Sequence, residues 1–259
     1  MIHFHTGEKR GAVIAALVTL VAVAAAAAII ISARMGGWTI FLSNARADWV
    51  VRVGDASVSA PEYLVYLYEQ KVLFEDVGGE DIWDTDFDGE TPEEVAKRNA
   101  LRRVETVKKT AAYCVETDVS LSEERKLEAD ESATELFADM PRSLKDEGGV
   151  TVDIVKKVAE DMGLYEMTYE FVTKNYILNE RDFESYFSDY IENGDALSSE
   201  EAMEDLEKIK EVVRDEYIIT TKNEMFDAEC AEWSQGVKTV VNKKALARIS
   251  VFEMDGGSL

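Results

Sequence analysis

Hydrophobic and polar positions divide the chain into two stretches of different kind. Residues 11–33 carry no charge and, after Gly11, no strong helix breaker. The run 12–31 is long enough to cross the ~30 Å hydrocarbon layer as a helix, which takes about 20 residues. From residue 49 the pattern becomes that of a folded domain. Trp49-Val50-Val51-Arg52-Val53 is β-prone, and Gly54-Asp55 turns the chain. Ser59-Ala60-Pro61-Glu62 then starts a helix, with Ser as N-cap, Pro in the first turn and Glu three after the cap. That helix is expected to run to about Asp76, with Tyr63, Leu64, Tyr66, Leu67, Phe74 and Val77 largely on one side, and to end at Gly78-Gly79.

The same logic continues along the chain. After a polar loop over 81–89, Thr91-Pro92-Glu93-Glu94 caps a second helix with Leu101, Val104, Lys108, Ala111, Ala112 and Val115 at helical spacing. Ser122 opens a third, carrying Leu127, Leu136, Phe137 and Met140, and Pro141 closes it. Ile154, Val155, Val158, Ala159 and Met162 predict a helix over 151–162 that stops at Gly163. A longer helix is expected over 166–191, with Phe171, Leu178, Phe183, Phe187 and Tyr190, ending at Asn193-Gly194. Ser198-Ser199-Glu200-Glu201 caps another, with Ala202, Leu206, Ile209 and Val213 inward. Phe226, Cys230 and Trp233 suggest a short helix. Residues 237–241 and 246–252 read as two short β segments around Asn242-Lys243-Lys244. The expected fold class is mainly α: an N-terminal transmembrane helix, then a helical body with short terminal strands that pair with each other.

The flanks of the apolar run bear on its fate. Lys9 and Arg10 precede it, Trp38 follows where an interfacial aromatic sits, and Arg34 and Arg46 lie beyond. This predicts a cytoplasmic N-terminus (1–10), an anchor (11–33), a linker (34–48), an outer domain (49–252) and a tail (253–259). Ala45-Arg46-Ala47 has the small-x-small form a signal peptidase reads. An uncleaved anchor and cleavage after Ala47 therefore both stand.

Charge narrows the partners. Beyond residue 47 the chain has 24 basic and 51 acidic residues, a net of −27. Such a field repels nucleic acid and anionic headgroups and tolerates cationic or neutral partners. Catalytic signatures are missing. The two histidines, His3 and His5, precede the apolar run, and there is no phosphate-cradling glycine loop and no CxxC. Enzymatic activity is not expected. Cys114 and Cys230 read either as buried thiols or as one disulfide.

Two local features carry candidate chemistry. Asp84-Thr85-Asp86-Phe87-Asp88-Gly89 places oxygen ligands at the first, third and fifth positions and glycine at the sixth, as a calcium loop does. Val95 stands where the closing carboxylate belongs, however, and Thr91 and Glu94 suit a capping box. The readings are a weak calcium site at Asp84, Asp86 and Asp88, or a polar loop without cofactor. The second feature is the aromatic set of the first outer helix. Tyr63, Tyr66, Leu67, Tyr68 and Phe74 are either core or a greasy surface that holds extended chains.

The stretch Val51-Arg52-Val53-Gly54-Asp55-Ala56-Ser57-Val58-Ser59-Ala60-Pro61-Glu62-Tyr63 resembles the opening of SurA/PrsA-type extracytoplasmic chaperones. Similar continuations are Tyr68-Glu69-Gln70-Lys71, Ile82-Trp83, Asp88-Gly89-Glu90-Thr91-Pro92-Glu93-Glu94, Val119-Ser120-Leu121-Ser122-Glu123-Glu124, Gly163-Leu164 and the tail Val240-Val241-Asn242-Lys243-Lys244-Ala245-Leu246. The resemblance covers about 49–190 and 225–252. It implies a polypeptide-binding foldase or holdase outside the plasma membrane of a bacterium, with unfolded or secreted polypeptides as partners. Many relatives insert a parvulin prolyl-isomerase domain. Here the corresponding 192–224 is a short helical segment without that site's histidines, so the resemblance carries the chaperone body and no catalytic residue. It implies no oligomeric state. The alternative function is a structural or assembly subunit of a bacterial membrane complex that binds one dedicated partner.

Overall fold

A computed structural model describes residues 49–87, 89–193 and 206–251. The protein is mainly helical with a small three-stranded sheet. No helix among the described residues is long and apolar enough to cross a membrane. The expected anchor (11–33), linker (34–48) and tail (253–259) lie outside the described residues, and so does part of 192–224.

The chain folds as two compact units. The described part of the first comprises 49–171 and 230–251, and that of the second comprises 172–193 and 206–229.

In the first unit, β1 (Val51–Val53) and β2 (Ala56–Val58) form a hairpin around Gly54, which adopts a left-handed φ of 56°. Here the chain makes a strand, β2, where the sequence pattern suggests only a turn. The last strand, β3 (Thr239–Val241), pairs antiparallel with β1, giving the order β2-β1-β3. The expected pairing of the two chain ends is thus present. Asn242 extends it: its backbone N–H donates to the Val50 carbonyl (2.8 Å) and its Nδ2 donates to the Trp49 carbonyl (3.1 Å).

Helix α1 (Ala60–Gly78) starts as expected, with the Ser59 hydroxyl accepting from the Glu62 N–H. A 3-10 turn, Glu80–Asp84, leads towards α2 (Pro92–Glu116), whose Thr91–Glu94 capping box is complete on both sides. Then follow α3 (Glu123–Asp139), capped by Ser122, the short α4 (Arg142–Asp146) and α5 (Val152–Thr173). Pairs Lys156–Asp130 (2.9 Å) and Arg125–Glu170 (2.7 Å) link α3 to α5. After α7 (Leu206–Trp233) and β3 comes α8 (Lys243–Leu246), capped by the Asn242 carbonyl oxygen.

The second unit pairs α6 (Glu180–Asn193) with α7. Glu180 bonds Arg214 and Glu184 bonds Lys210, so the helices run antiparallel. Phe183, Phe187 and Val213 form their buried seam.

Several helix boundaries differ from the sequence pattern. Gly163 does not stop α5. It lies against Leu121, where an added Cβ would come within 3.1 Å of a leucine methyl, so the glycine serves close packing. The expected helix 166–191 is broken over 174–179, and Asn179 caps the new start by accepting from the Arg181 N–H. The expected helices around Leu206 and Trp233 are one continuous α7. Residues 246–251 are not a strand, because Asn242 nucleates α8 instead, and Phe252 lies outside the described residues. Cys114 and Cys230 are buried free thiols, and Cys114 Sγ lies 3.4 Å from the Thr168 hydroxyl.

The sheet closure yields a stability test. Asn242→Ala removes the bond to Trp49 and the α8 cap, and is expected to cost about 2 kcal/mol in urea denaturation. Among the described residues the buried Thr239 hydroxyl has no hydrogen-bond partner. Thr239→Val is therefore expected to be neutral or stabilising, by up to about 1 kcal/mol in the same measurement.

Candidate functional site

Beside the sheet, in the first unit, lies an open groove of about 590 Å³. Three stretches of chain build it. Trp49 and Val50 lead into β1; Ala60, Pro61 and Leu64 come from the start of α1. Ser143, Leu144, Glu147 and Gly148 belong to α4 and its exit, and Ala245, Arg248, Ile249 and Ser250 follow β3. The volume falls in the range of about 300–1,000 Å³ typical of ligand clefts.

Local chemistry explains how these segments meet. A Cβ on Gly148 would stand 2.6 Å from the Leu144 carbonyl and 3.0 Å from a Leu64 methyl. Only glycine lets this loop fold back against α1. Gly149 follows with a left-handed φ of 68°. The C-terminal segment is held by Glu93, whose carboxylate accepts from the Val251 N–H at 3.2 Å. Burial works against the charged Glu93, but bonds from Lys97, Ser250 and Val251 outweigh it and keep its pKa low. The lining is mixed: Trp49, Val50, Leu64, Leu144 and Ile249 are buried at its base, Ala60, Pro61, Ser143, Ala245 and Ser250 are partly exposed, and the charged Glu147 and Arg248 are exposed. No lining residue is a cysteine or histidine.

The aromatic set lies elsewhere. Tyr63, Tyr66 and Leu67 are fully buried, and Tyr68 and Phe74 nearly so. The Tyr63 hydroxyl donates to the Lys97 carbonyl (3.0 Å) and that of Tyr68 to the Asp139 carbonyl (3.3 Å). Phe74 stacks on Trp83 with ring centroids 5.6 Å apart. These five residues are core. Ala60, Pro61 and Leu64 are the residues of this helix that line the groove. Sequence reasoning missed the groove because its walls come from stretches that no local pattern joins. The run of glycines at 148 and 149 was the available signal.

In the acidic loop, Asp84 and Asp86 are exposed, and Asp86 Oδ1 accepts from the Gly89 N–H at 2.5 Å. Asp88 lies outside the described residues. Among the described residues no three His, Cys, Asp or Glu side chains are grouped to hold a metal ion.

A set of charges is buried beneath α1. Lys108 on α2 pairs with Glu62 on α1 (2.5 Å) and with Asp161 on α5, and Lys157 reaches the other Glu62 oxygen at 3.1 Å. Burial disfavours the Lys108 ammonium, but Asp161 and Glu62 outweigh it and raise its pKa. The Tyr66 hydroxyl has no hydrogen-bond partner among the described residues. Burial, with Asp161, Glu62 and Glu69 adding, pushes its pKa well up. One turn on, burial pushes the Glu69 carboxyl up to about 7; Arg103 opposes the shift and Glu166 adds to it. Arg103 itself lies over the Tyr165 ring at 4.1 Å.

Glu69 carries a pH prediction. Its folded pKa lies above the usual 4.5, so its contribution to stability is complete below about 4.5 and is lost as pH rises through about 7. Glu69→Gln removes that dependence. Its side chain is part-covered, so the wild type is expected to lose only on the order of 1–2 kcal/mol relative to the variant between about pH 5 and pH 8. Urea denaturation of both proteins across that range checks it.

Compared with known proteins, the chain matches no protein-family model, no curated protein and no solved structure.

Proposed function

We propose that this protein is a membrane-tethered, extracytoplasmic polypeptide-binding protein of chaperone type that works without catalysis. The open groove of the first unit, lined by both apolar and polar residues, carries this reading. Its occupant is an extended apolar segment of an unfolded or secreted polypeptide. Burial of client side chains at about 25 cal/mol per Å² supplies the attraction, and the partial openness of the site keeps affinity modest enough for release. The net charge of −27 beyond residue 47 favours cationic or neutral clients and keeps the protein itself soluble.

Three further observations support the reading. The hairpin, the Ser59-capped helix and the returning β3 strand agree with the order of elements that the SurA/PrsA resemblance implies. Where relatives of that type insert a parvulin domain, about 192–224, the described residues 206–224 belong to helix α7. The uncharged run 12–31 is of the length a single-pass tether needs.

The test is aggregation suppression. Several unrelated unfolding proteins should stay soluble at near-stoichiometric ratios of the full chain. Ala245→Trp, which fills the groove from its rim without removing a core side chain, should abolish most of that effect while leaving the thermal midpoint within a few degrees. No suppression, together with capture of one defined partner, would instead identify the chain as a dedicated assembly subunit.

A further inference from the structure

Acidic residues recur throughout the chain beyond residue 47, with one long exception. Residues 233–252 contain no Asp or Glu, whereas elsewhere beyond residue 47 no acid-free run exceeds ten residues. Within that stretch stand Lys238, Lys243, Lys244 and Arg248, all exposed. Among the described residues none of the four is held by a carboxylate. By contrast, Lys71, Lys97, Arg98 and Lys109 of the same unit each sit on a glutamate.

The fold gathers the free cations beside the sheet and the groove. Arg52 of β1 is exposed and stands directly opposite Val240 of β3. The ladder runs on past β3, because the Gly54 N–H donates to the Lys238 carbonyl at 3.0 Å. Opposite residues of an antiparallel pair share a face and alternate residues of a strand do too, so Lys238 falls on the side of Arg52. Arg52 also lies over the Trp49 ring, 4.4 Å from its centroid. Trp49 and Arg248 line the groove together, and Lys243 and Lys244 open α8, whose Ala245 lines it too. The exposed acids beside this surface are Asp55 in the hairpin and Glu147 across the groove. Glu93, which holds Val251, is already paired with Lys97 at 3.0 Å. Five cations thus face two unpaired carboxylates, and the local charge is positive on a strongly negative domain.

We propose that this basic face docks the first unit onto anionic lipid headgroups of the membrane that holds the chain. The proposal rests on the tether reading of residues 11–33. Only residues 34–48, fifteen in all, separate that run from Trp49. A chain of that length spans at most about 50 Å, so the domain stays near the bilayer. The chain enters the domain at Trp49, on the basic face itself. Headgroup phosphates offer the counter-charges that the five cations lack among the described residues. The net charge of −27 opposes approach of the domain as a whole. Screening, however, limits the reach of exposed charges to about 8 Å at physiological ionic strength. The nearest face therefore decides, and the acidic surfaces turn away. Docked in this way, the groove opens beside the bilayer surface.

The test places the full chain with vesicles of phosphatidylcholine alone or with added phosphatidylglycerol. Flotation on the phosphatidylcholine vesicles reports the tether. Docking is read separately, by quenching of a fluorophore on Ala247→Cys by nitroxide-labelled headgroups. Ala247 is exposed between Lys244 and Arg248, and the native cysteines are buried. Phosphatidylglycerol should raise the quenching, and high salt should reverse the rise. The same label on Ser132→Cys, exposed on α3, should not respond. Lys243→Gln, Lys244→Gln and Arg248→Gln together should remove the rise, since each cation is worth about 5-fold in membrane partition. A chain without a tether would float only on the phosphatidylglycerol vesicles and still show the rise, so the two readings fail separately. Equal quenching with and without phosphatidylglycerol would overturn the proposal, as would an equal response at Ser132→Cys or a rise that survives in the triple variant. Binding of soluble polyphosphate or an acidic peptide without any vesicle response would also overturn it, assigning the face to a soluble anion.

Discussion

Three residues of β3 hold the start of the first unit's described residues in place. Thr239–Val241 pair with Val51–Val53, and Asn242 adds two bonds to the backbone of Trp49 and Val50. A three-residue strand has little intrinsic stability, and a lone hairpin of this size is marginal in water. The third strand makes the sheet, and the sheet fixes the direction in which α1 departs. It also brings Ala245, Arg248 and Ile249 opposite Pro61 and Leu64, so the groove exists only when the two ends of the first unit are joined. Glu93 fastens the same segment from α2 by accepting from Val251.

Inside that frame, α1 is buried on every side from Glu62 to Tyr68. A helix so enclosed gains most of its stability from packing, yet it carries a carboxylate inward. Glu62, Lys108 and Asp161 join α1, α2 and α5 through one ammonium. Taking such charges out of water costs about as much as their attraction returns. Their use lies in register: a sliding or rotated α1 would leave Glu62 without its cation, whereas leucines and valines tolerate small shifts. Lys157 adds a second, more exposed contact to the same carboxylate.

Much of the fold was legible because helix starts have local chemistry. Ser59, Thr91 and Ser122 cap the helices they were expected to cap, since hydroxyl and backbone N–H lie three residues apart. Helix ends were less legible. Gly163 looked like a stop, but a glycine under a neighbouring leucine serves contact rather than termination, and that neighbour, Leu121, is distant in sequence. The seven consecutive buried positions of α1 explain why the aromatic set could be read either as core or as a binding surface. With no polar face to mark the inside, Tyr63 and Tyr66 looked surplus to a single stripe when they fill the interior all round. The groove depends on segments meeting in space, which spacing along one helix does not encode.

The pairing of β1 with β3 also orders the making of the protein. A chain is produced, and threaded through any channel, from its N-terminus onward. Helices α1 and α2 are neighbours in sequence and can dock early, since closing a short loop costs little entropy. The sheet must wait, because its third strand lies some 190 residues beyond its first. Until those last residues emerge, Trp49, Val50 and Leu64 have no C-terminal cover, and the unit exists as a helical precursor with an open edge. Long-range closure of this kind is slow. The arrival of β3 therefore completes the sheet, and the groove is the last part of the first unit to take shape.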